Sequence, residues 1–287
     1  MRARYPDQEG FVDRDGVEIF YEVYENDGPT VVLVPTWCLL HSRAWKMQIP
    51  YLSRHFRVVT YDPRGNGRSD RPSARESHGW RHYVDDLLSV MDETQTGMAV
   101  LVGLSVSGYW ANVAAILNPD RAHGVVGICP VAGLGIVLEE RTRYSYTDQL
   151  DITEGWAKEN VHYIRSNYHD YVEFFVSQMF SEPHSTKQIE DGVSWAMETE
   201  AEMLIASDLA DILVEEDMAS FYRRATKPAL VIQGDHDRIV APAASEELAR
   251  LMDAELVIMG QSGHAPNMRD PVRVNLLIKD FVERVAV

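Results

Sequence analysis

Basic residues are scarce in this chain of 287 residues: 27 lysines and arginines stand against 44 aspartates and glutamates. The formal charge of −17 argues against nucleic acid or an anionic membrane surface as a partner. Cysteine is scarcer still. The two thiols, Cys38 and Cys129, make no disulfide framework and read as buried or half-buried groups of a cytoplasmic protein. No run approaches the ~18 consecutive apolar residues that a membrane helix needs, so no membrane span is expected. Residues 1–10 mix charges without an apolar stretch, so no signal peptide is expected. Internal repeats and low-complexity linkers are also missing.

Apolar material is not lacking. At 45% hydrophobic residues the chain can bury a large sheet, and its length suits one α/β domain with an insert. Short apolar runs recur at residues 30–34, 56–61, 98–102, 124–129, 229–233 and 255–259, and continuous runs of this kind suit parallel strands covered on both faces. Residues 11–13 and 17–24 read as two strands joined by the turn Asp13-Arg14-Asp15-Gly16. Helical periodicity fits 43–52, 83–91, 109–117, 244–252 and 271–284. Between about 138 and 224 the strand runs disappear. Segments rich in charge and aromatics at 156–165, 168–180, 186–206 and 208–221 read as helices.

The chemistry gathers around Gly103-Leu104-Ser105-Val106-Ser107-Gly108, between the apolar run 98–102 and the helix 109–117. A strand that turns sharply into a helix needs small residues where the two nearly touch, and Gly103, Ser107 and Gly108 supply them. Ser105 is then set on a strained turn at the end of the sheet, ahead of a helix N-terminus that favours developing negative charge. This is the nucleophile-elbow pattern, and the chain resembles the α/β-hydrolase superfamily here. Ser107 stands where the pattern has its last glycine. Asp62-Pro63-Arg64-Gly65-Asn66-Gly67-Arg68-Ser69-Asp70 resembles a second stretch of that superfamily, and Arg64, Arg68 and Asp70 in it are read as structural.

The resemblance implies a mostly parallel, doubly wound α/β sheet with an inserted all-helical cap: core at 1–135 and 225–287, cap at 136–224. It also implies a serine, acid and histidine in that order, each on a loop after a strand. Ser105 and His264 fill the first and last places, His264 in the loop after the last expected strand. Asp235 and Asp237 share one loop; the family's Gly-x-x-Asp spacing selects Asp237 and leaves Asp235 a turn residue. His236 between them could suggest a metal, but no second ligand cluster accompanies it, so neither metal nor cofactor is expected. Two backbone N–H groups are implied as oxyanion donors, those of Val106 and Trp37. Pro35-Thr36 before Trp37 replaces the family's usual His-Gly.

The implied reaction is hydrolysis of a small carboxylic ester, lactone or thioester through an acyl-enzyme, with an apolar ester as partner and a homodimer left open. A serine at the elbow disfavours the epoxide-hydrolase and dehalogenase branches, which put aspartate there. Ala265 after the histidine disfavours both carbon–carbon bond hydrolases, often Trp at that place, and hydroxynitrile lyases, some with Lys there; the carbon–carbon hydrolase stays as the alternative of the same fold. A ligand receptor with little turnover is the alternative from another class. Acidic pairs such as Glu139-Glu140 and Glu215-Glu216 are expected to face solvent.

Overall fold

Asp15 and Gly16 both have positive φ (55° and 83°), which lets a two-residue loop reverse the chain between β1 (Gln8–Arg14) and β2 (Val17–Tyr24). The hairpin is the antiparallel edge of one eight-stranded sheet in a computed structural model that describes residues 3–211, 213–214 and 217–286. The other strands are β3 (Thr30–Val34), β4 (Arg57–Tyr61), β5 (Ala99–Leu104), β6 (Ala122–Ile128), β7 (Ala229–Gly234) and β8 (Glu255–Met259). They run in the order β1-β2-β4-β3-β5-β6-β7-β8, with β2 antiparallel to β4 and every later pair parallel. β5 and β7 are buried along their whole length, as the continuous apolar runs require of strands covered on both faces.

The core helices are α1 (Ile49–Leu52), α2 (Trp80–Glu93), α3 (Val106–Leu117), α9 (Pro242–Met252), α10 (Pro266–Arg269) and α11 (Pro271–Val285). α3 lies on β5 and β6, and α2 packs on α3. Tyr83 stacks on Trp110 at that contact, 3.9 Å between centroids and 5° from parallel. Such a pair adds about 0.5–1.5 kcal/mol beyond its buried area and fixes the helix behind the elbow. The expected helix 43–52 is broken into a 3₁₀ turn (Ser42–Trp45) and α1, because Pro50 has no N–H to continue a helical ladder from the preceding turn.

Between β6 and β7 the described residues contain no strand. The helices there are α4 (Val161–Ser166), α5 (Tyr168–Gln178), α6 (Thr186–Ala196), α7 (Ala201–Asp208) and α8 (Met218–Tyr222). Three expectations need correction. The helix expected over 156–165 is a 3₁₀ turn (Gly155–Lys158) followed by α4, which Asn160 caps. The helix expected over 186–206 is two helices, since Thr199 donates its hydroxyl to Gly65 O (2.5 Å) and Asn66 donates to Trp195 O (3.3 Å). Among the described residues, with Asp208 ending α7, the helix expected over 208–221 is reduced to α8, capped by Asp217. Its upstream backbone is used elsewhere: Val214 N–H donates to the Tyr109 hydroxyl (2.6 Å), and Asp211 O accepts from Trp80 N–H (2.8 Å). Glu139 and Glu140 are exposed, as expected, whereas Glu215-Glu216 lie outside the described residues.

Candidate active site

Ser105 follows β5 directly and precedes α3, with φ 59° and ψ −126°, a conformation that non-glycine residues adopt only under constraint. Ser105 N–H donates to Ile128 O (2.9 Å), and Ser105 O accepts from Gly108 N–H (3.0 Å) and Val131 N–H (3.1 Å). A Cβ on Gly103 would lie 2.4 Å from the Ser107 carbonyl, so only glycine lets strand and helix meet. Ser107, fully buried, is more than a tolerated departure. Its Oγ accepts from Leu104 N–H (2.9 Å) and lies within donating reach of Leu104 O (2.9 Å) and Val34 O (3.2 Å), tying the turn to β3. Val106 N–H is at the first position of α3, where a helix offers no carbonyl partner.

The candidate acid and base follow the two strands beyond β6. Asp237 follows β7 and His264 follows β8, and both are buried. His264 Nδ1 is 2.8 Å from Asp237 Oδ2, which also accepts from Gln233 Nε2 (3.1 Å). The other oxygen, Oδ1, accepts from Ile239 N–H (2.7 Å) and Val240 N–H (3.0 Å). Burial pushes this carboxyl up, but His264 and the two amides outweigh it and hold it below the usual carboxylate range. The carboxylate is thereby kept ionised and aimed at Nδ1. Among the described residues His264 Nε2 and Ser105 Oγ have no hydrogen-bond partner.

Asp235 takes a different part. It is exposed, and its Oδ1 accepts from Ser262 N–H (3.2 Å), bracing one loop against the other. The two loops touch so closely that a Cβ on Gly234 would lie 2.1 Å from Gly263 O. His236 is exposed and its side chain stands apart from the pair. One Sγ, that of Cys129, does lie within 4.8 Å of the Asp237 and His264 ligand atoms. Burial raises that thiol well above its ordinary value.

Trp37 sits in the turn after β3, half-buried, its ring edge-on to Phe175 of α5 at 5.4 Å. Asn66 holds that turn by donating to Cys38 O (2.8 Å), and Asp62 holds its far end by accepting from Ser42 N–H (3.0 Å). Arg64 is buried in a bidentate pair with Asp86 (2.7 Å each), and Asp70 accepts from Glu18 N–H (2.8 Å). Both do structural work, as does Arg68, which stacks over Phe20 at 3.8 Å.

Several supporting groups had no sequence signal. Met179 O accepts from His264 N–H (2.8 Å), and Glu182 Oε1 accepts from Gly263 N–H (2.8 Å), so the segment after α5 carries the histidine loop. Gln233 is oriented by Ser245, whose hydroxyl donates to Gln233 Oε1 (2.6 Å). Their partners lie far away in the chain, which no local pattern reports.

A cavity of about 550 Å³ adjoins the site, its wall including Val131, Leu138, Arg141, Tyr146, Glu159 and Ile239. Val131 contacts the elbow through Ser105 O, and Ile239 contacts the acid through Asp237 Oδ1. Behind the wall, the Tyr146 hydroxyl donates to Asp208 Oδ2 (2.6 Å). Burial holds the Asp208 carboxyl well above the usual range; Glu159 adds to this, while Tyr146 and Arg141 oppose it. A carboxyl raised on folding costs stability as pH climbs from its unfolded value through the folded one. Asp208→Asn, which still accepts from Tyr146, is therefore expected to raise Tm at pH 7 by about 2–4 °C and to add little at pH 4. Thermal unfolding at the two pH values checks this; an equal gain at both contradicts it.

Comparison with known proteins agrees with this fold. A family model described as the alpha/beta hydrolase fold matches residues 29–271. The karrikin insensitive 2 receptor IA of Petunia hybrida is 24% identical over 244 residues, which span 82% of this chain and 84% of that one. The enol-lactonase from Burkholderia xenovorans LB400 superposes with a TM-score of 0.79 at 23% identity, over 96% of this chain and 100% of that one. An esterase from Rhodococcus sp. ECU1013 gives the same TM-score at 20% identity, over 97% and 98%.

Proposed function

The chain belongs to the alpha/beta hydrolase family, and from that premise we propose that it is a serine hydrolase of small carboxylic esters or lactones. The observation that carries the reading is the His264–Asp237 pair, 2.8 Å apart, at the same C-terminal end of the parallel strands as the strained Ser105 elbow. A serine hydroxyl is a weak nucleophile and needs a base that is itself oriented. In the proposed reaction Ser105 Oγ attacks the acyl carbonyl while His264 Nε2 takes its proton. Asp237 holds the imidazole in the tautomer with hydrogen on Nδ1 and stabilises the imidazolium that forms. The N–H groups of Val106 and Trp37 receive the oxyanion. The proton on Nε2 passes to the leaving alkoxide, and water activated by the same base releases the acid.

The helical segment 136–224 serves as a cap in this reading, with Phe175 resting on Trp37. The enol-lactonase and esterase likenesses support the fold that the reading needs. Cytoplasmic residence is part of the same proposal, supported by two free, buried thiols. The receptor similarity favours one competing reading, a ligand-binding protein with little turnover. A panel of p-nitrophenyl esters, lactones and thioesters separates the two. A hydrolase gives sustained release over many turnovers of at least one class, whereas a receptor gives at most one slow equivalent per chain.

A further inference from the structure

The cavity beside the elbow is not uniformly apolar. Arg141 and Glu159 meet on its wall in a bidentate pair, Nε to Oε2 at 3.0 Å and Nη2 to Oε1 at 2.7 Å, and Nη1 donates to Ile239 O at 2.9 Å. Three of the five guanidinium N–H donors are thus used, and two remain. The side chains of Arg141 and Glu159 keep 27% and 14% of their surface. The guanidinium also lies over the rings of Trp156 (5.5 Å) and Phe175 (5.8 Å), and Phe175 leads to Trp37. Tyr146 stands on the same wall with its hydroxyl fixed by Asp208. The Tyr171 hydroxyl is also buried and has no partner among the described residues. The two remaining guanidinium N–H groups belong to a side chain that keeps part of its surface at the cavity wall, so an acceptor on a bound ligand can reach them.

We propose that Arg141, Glu159 and Tyr146 form a charge-balanced polar subsite for an uncharged hydrogen-bonding group, a hydroxyl, ring oxygen or amide, on the substrate part remote from the scissile bond. Arg141 donates to that group, and Glu159, which cancels its charge, turns a carboxylate away. The apolar partner expected from the sequence is narrowed accordingly: apolar along Val131 and Leu138, polar at its tip. The inference rests on the ester-hydrolase reading of the adjoining site.

The test uses p-nitrophenyl esters of one chain length whose acyl ends carry methyl, hydroxyl, primary amide or carboxylate. A site built around hydrogen bonds discriminates strongly against a partner that lacks them. In the wild type, kcat/KM for the hydroxyl or amide ester is expected to exceed that for the methyl ester at least tenfold, with the carboxylate ester lowest. The double variant Arg141→Met, Glu159→Leu removes both charges together, and its hydroxyl-to-methyl ratio is expected to fall to within about twofold of one. A wild type that prefers the methyl or carboxylate ester overturns the proposal. So does a double variant in which all esters fall alike and the ratio survives, the signature of a mere strut. Binding of the matching non-hydrolysable methyl ketones by calorimetry keeps the two readings apart. No ester turnover with a tenfold tighter hydroxyl or amide ketone sinks the hydrolase reading and leaves the subsite standing. Equal binding of all the ketones sinks the subsite.

Discussion

Ser105→Ala is expected to lower kcat on any ester the protein turns over by on the order of 10⁴-fold or more, in a chain that still folds. Removal of a serine nucleophile has effects of that order because base, acid and oxyanion donors are left with nothing to activate. The fold should survive, since the protein hydrogen bonds at this turn run through the Ser105 backbone and the Ser107 side chain. Ser107→Ala is the matched control. It breaks the tie between the turn and β3 and should lower stability by about 1–3 kcal/mol, the range for losing one side of a buried hydrogen bond, without moving the nucleophile. Steady-state rates together with unfolding curves of both variants check this. Substantial turnover by Ser105→Ala, with loss in Ser107→Ala, would transfer the nucleophile to Ser107.

The second large effect divides the two aspartates of one loop. Asp237→Asn should lower kcat by roughly 10⁴-fold, the loss seen when an orienting carboxylate becomes an amide and the imidazole takes the wrong tautomer. Asp235→Asn should change kcat by less than about threefold, because its contact is with Ser262 N–H and an amide oxygen can accept it. Measured kcat values for the two variants decide the matter. A large loss in Asp235→Asn with a small one in Asp237→Asn would make Asp235 the acid.

The sheet could be read in the chain because a buried parallel strand must be apolar throughout: residues 30–34 and 229–233 have no other plausible state. The elbow could be read because steric crowding leaves only small residues at Gly103 and Gly108, and crowding is a local fact. The candidate acid was legible only through its spacing after Gly234; three of its four hydrogen bonds come from its own segment, Gln233, Ile239 and Val240, and the fourth, with His264, crosses to another loop. Helix limits between β6 and β7 were less legible for the same reason. Residues 197–200 leave the helical path at a contact with Gly65, more than a hundred residues earlier, and propensity carries no record of that contact. The polar wall of the cavity was equally hidden. Arg141 pairs with Glu159, 18 residues further on, and donates to Ile239 O, 98 residues further on, contacts that no local pattern reports.

The central claim is that Ser105 is the nucleophile oriented for attack by the His264–Asp237 pair, and covalent labelling tests it most directly. The protein is treated with a fluorophosphonate, digested, and the modified peptide identified by mass spectrometry. The account predicts one adduct per chain on Ser105, formed by the wild type and Ser107→Ala, absent from Ser105→Ala and strongly slowed in His264→Ala. An adduct on another serine, or labelling that persists in Ser105→Ala, contradicts it.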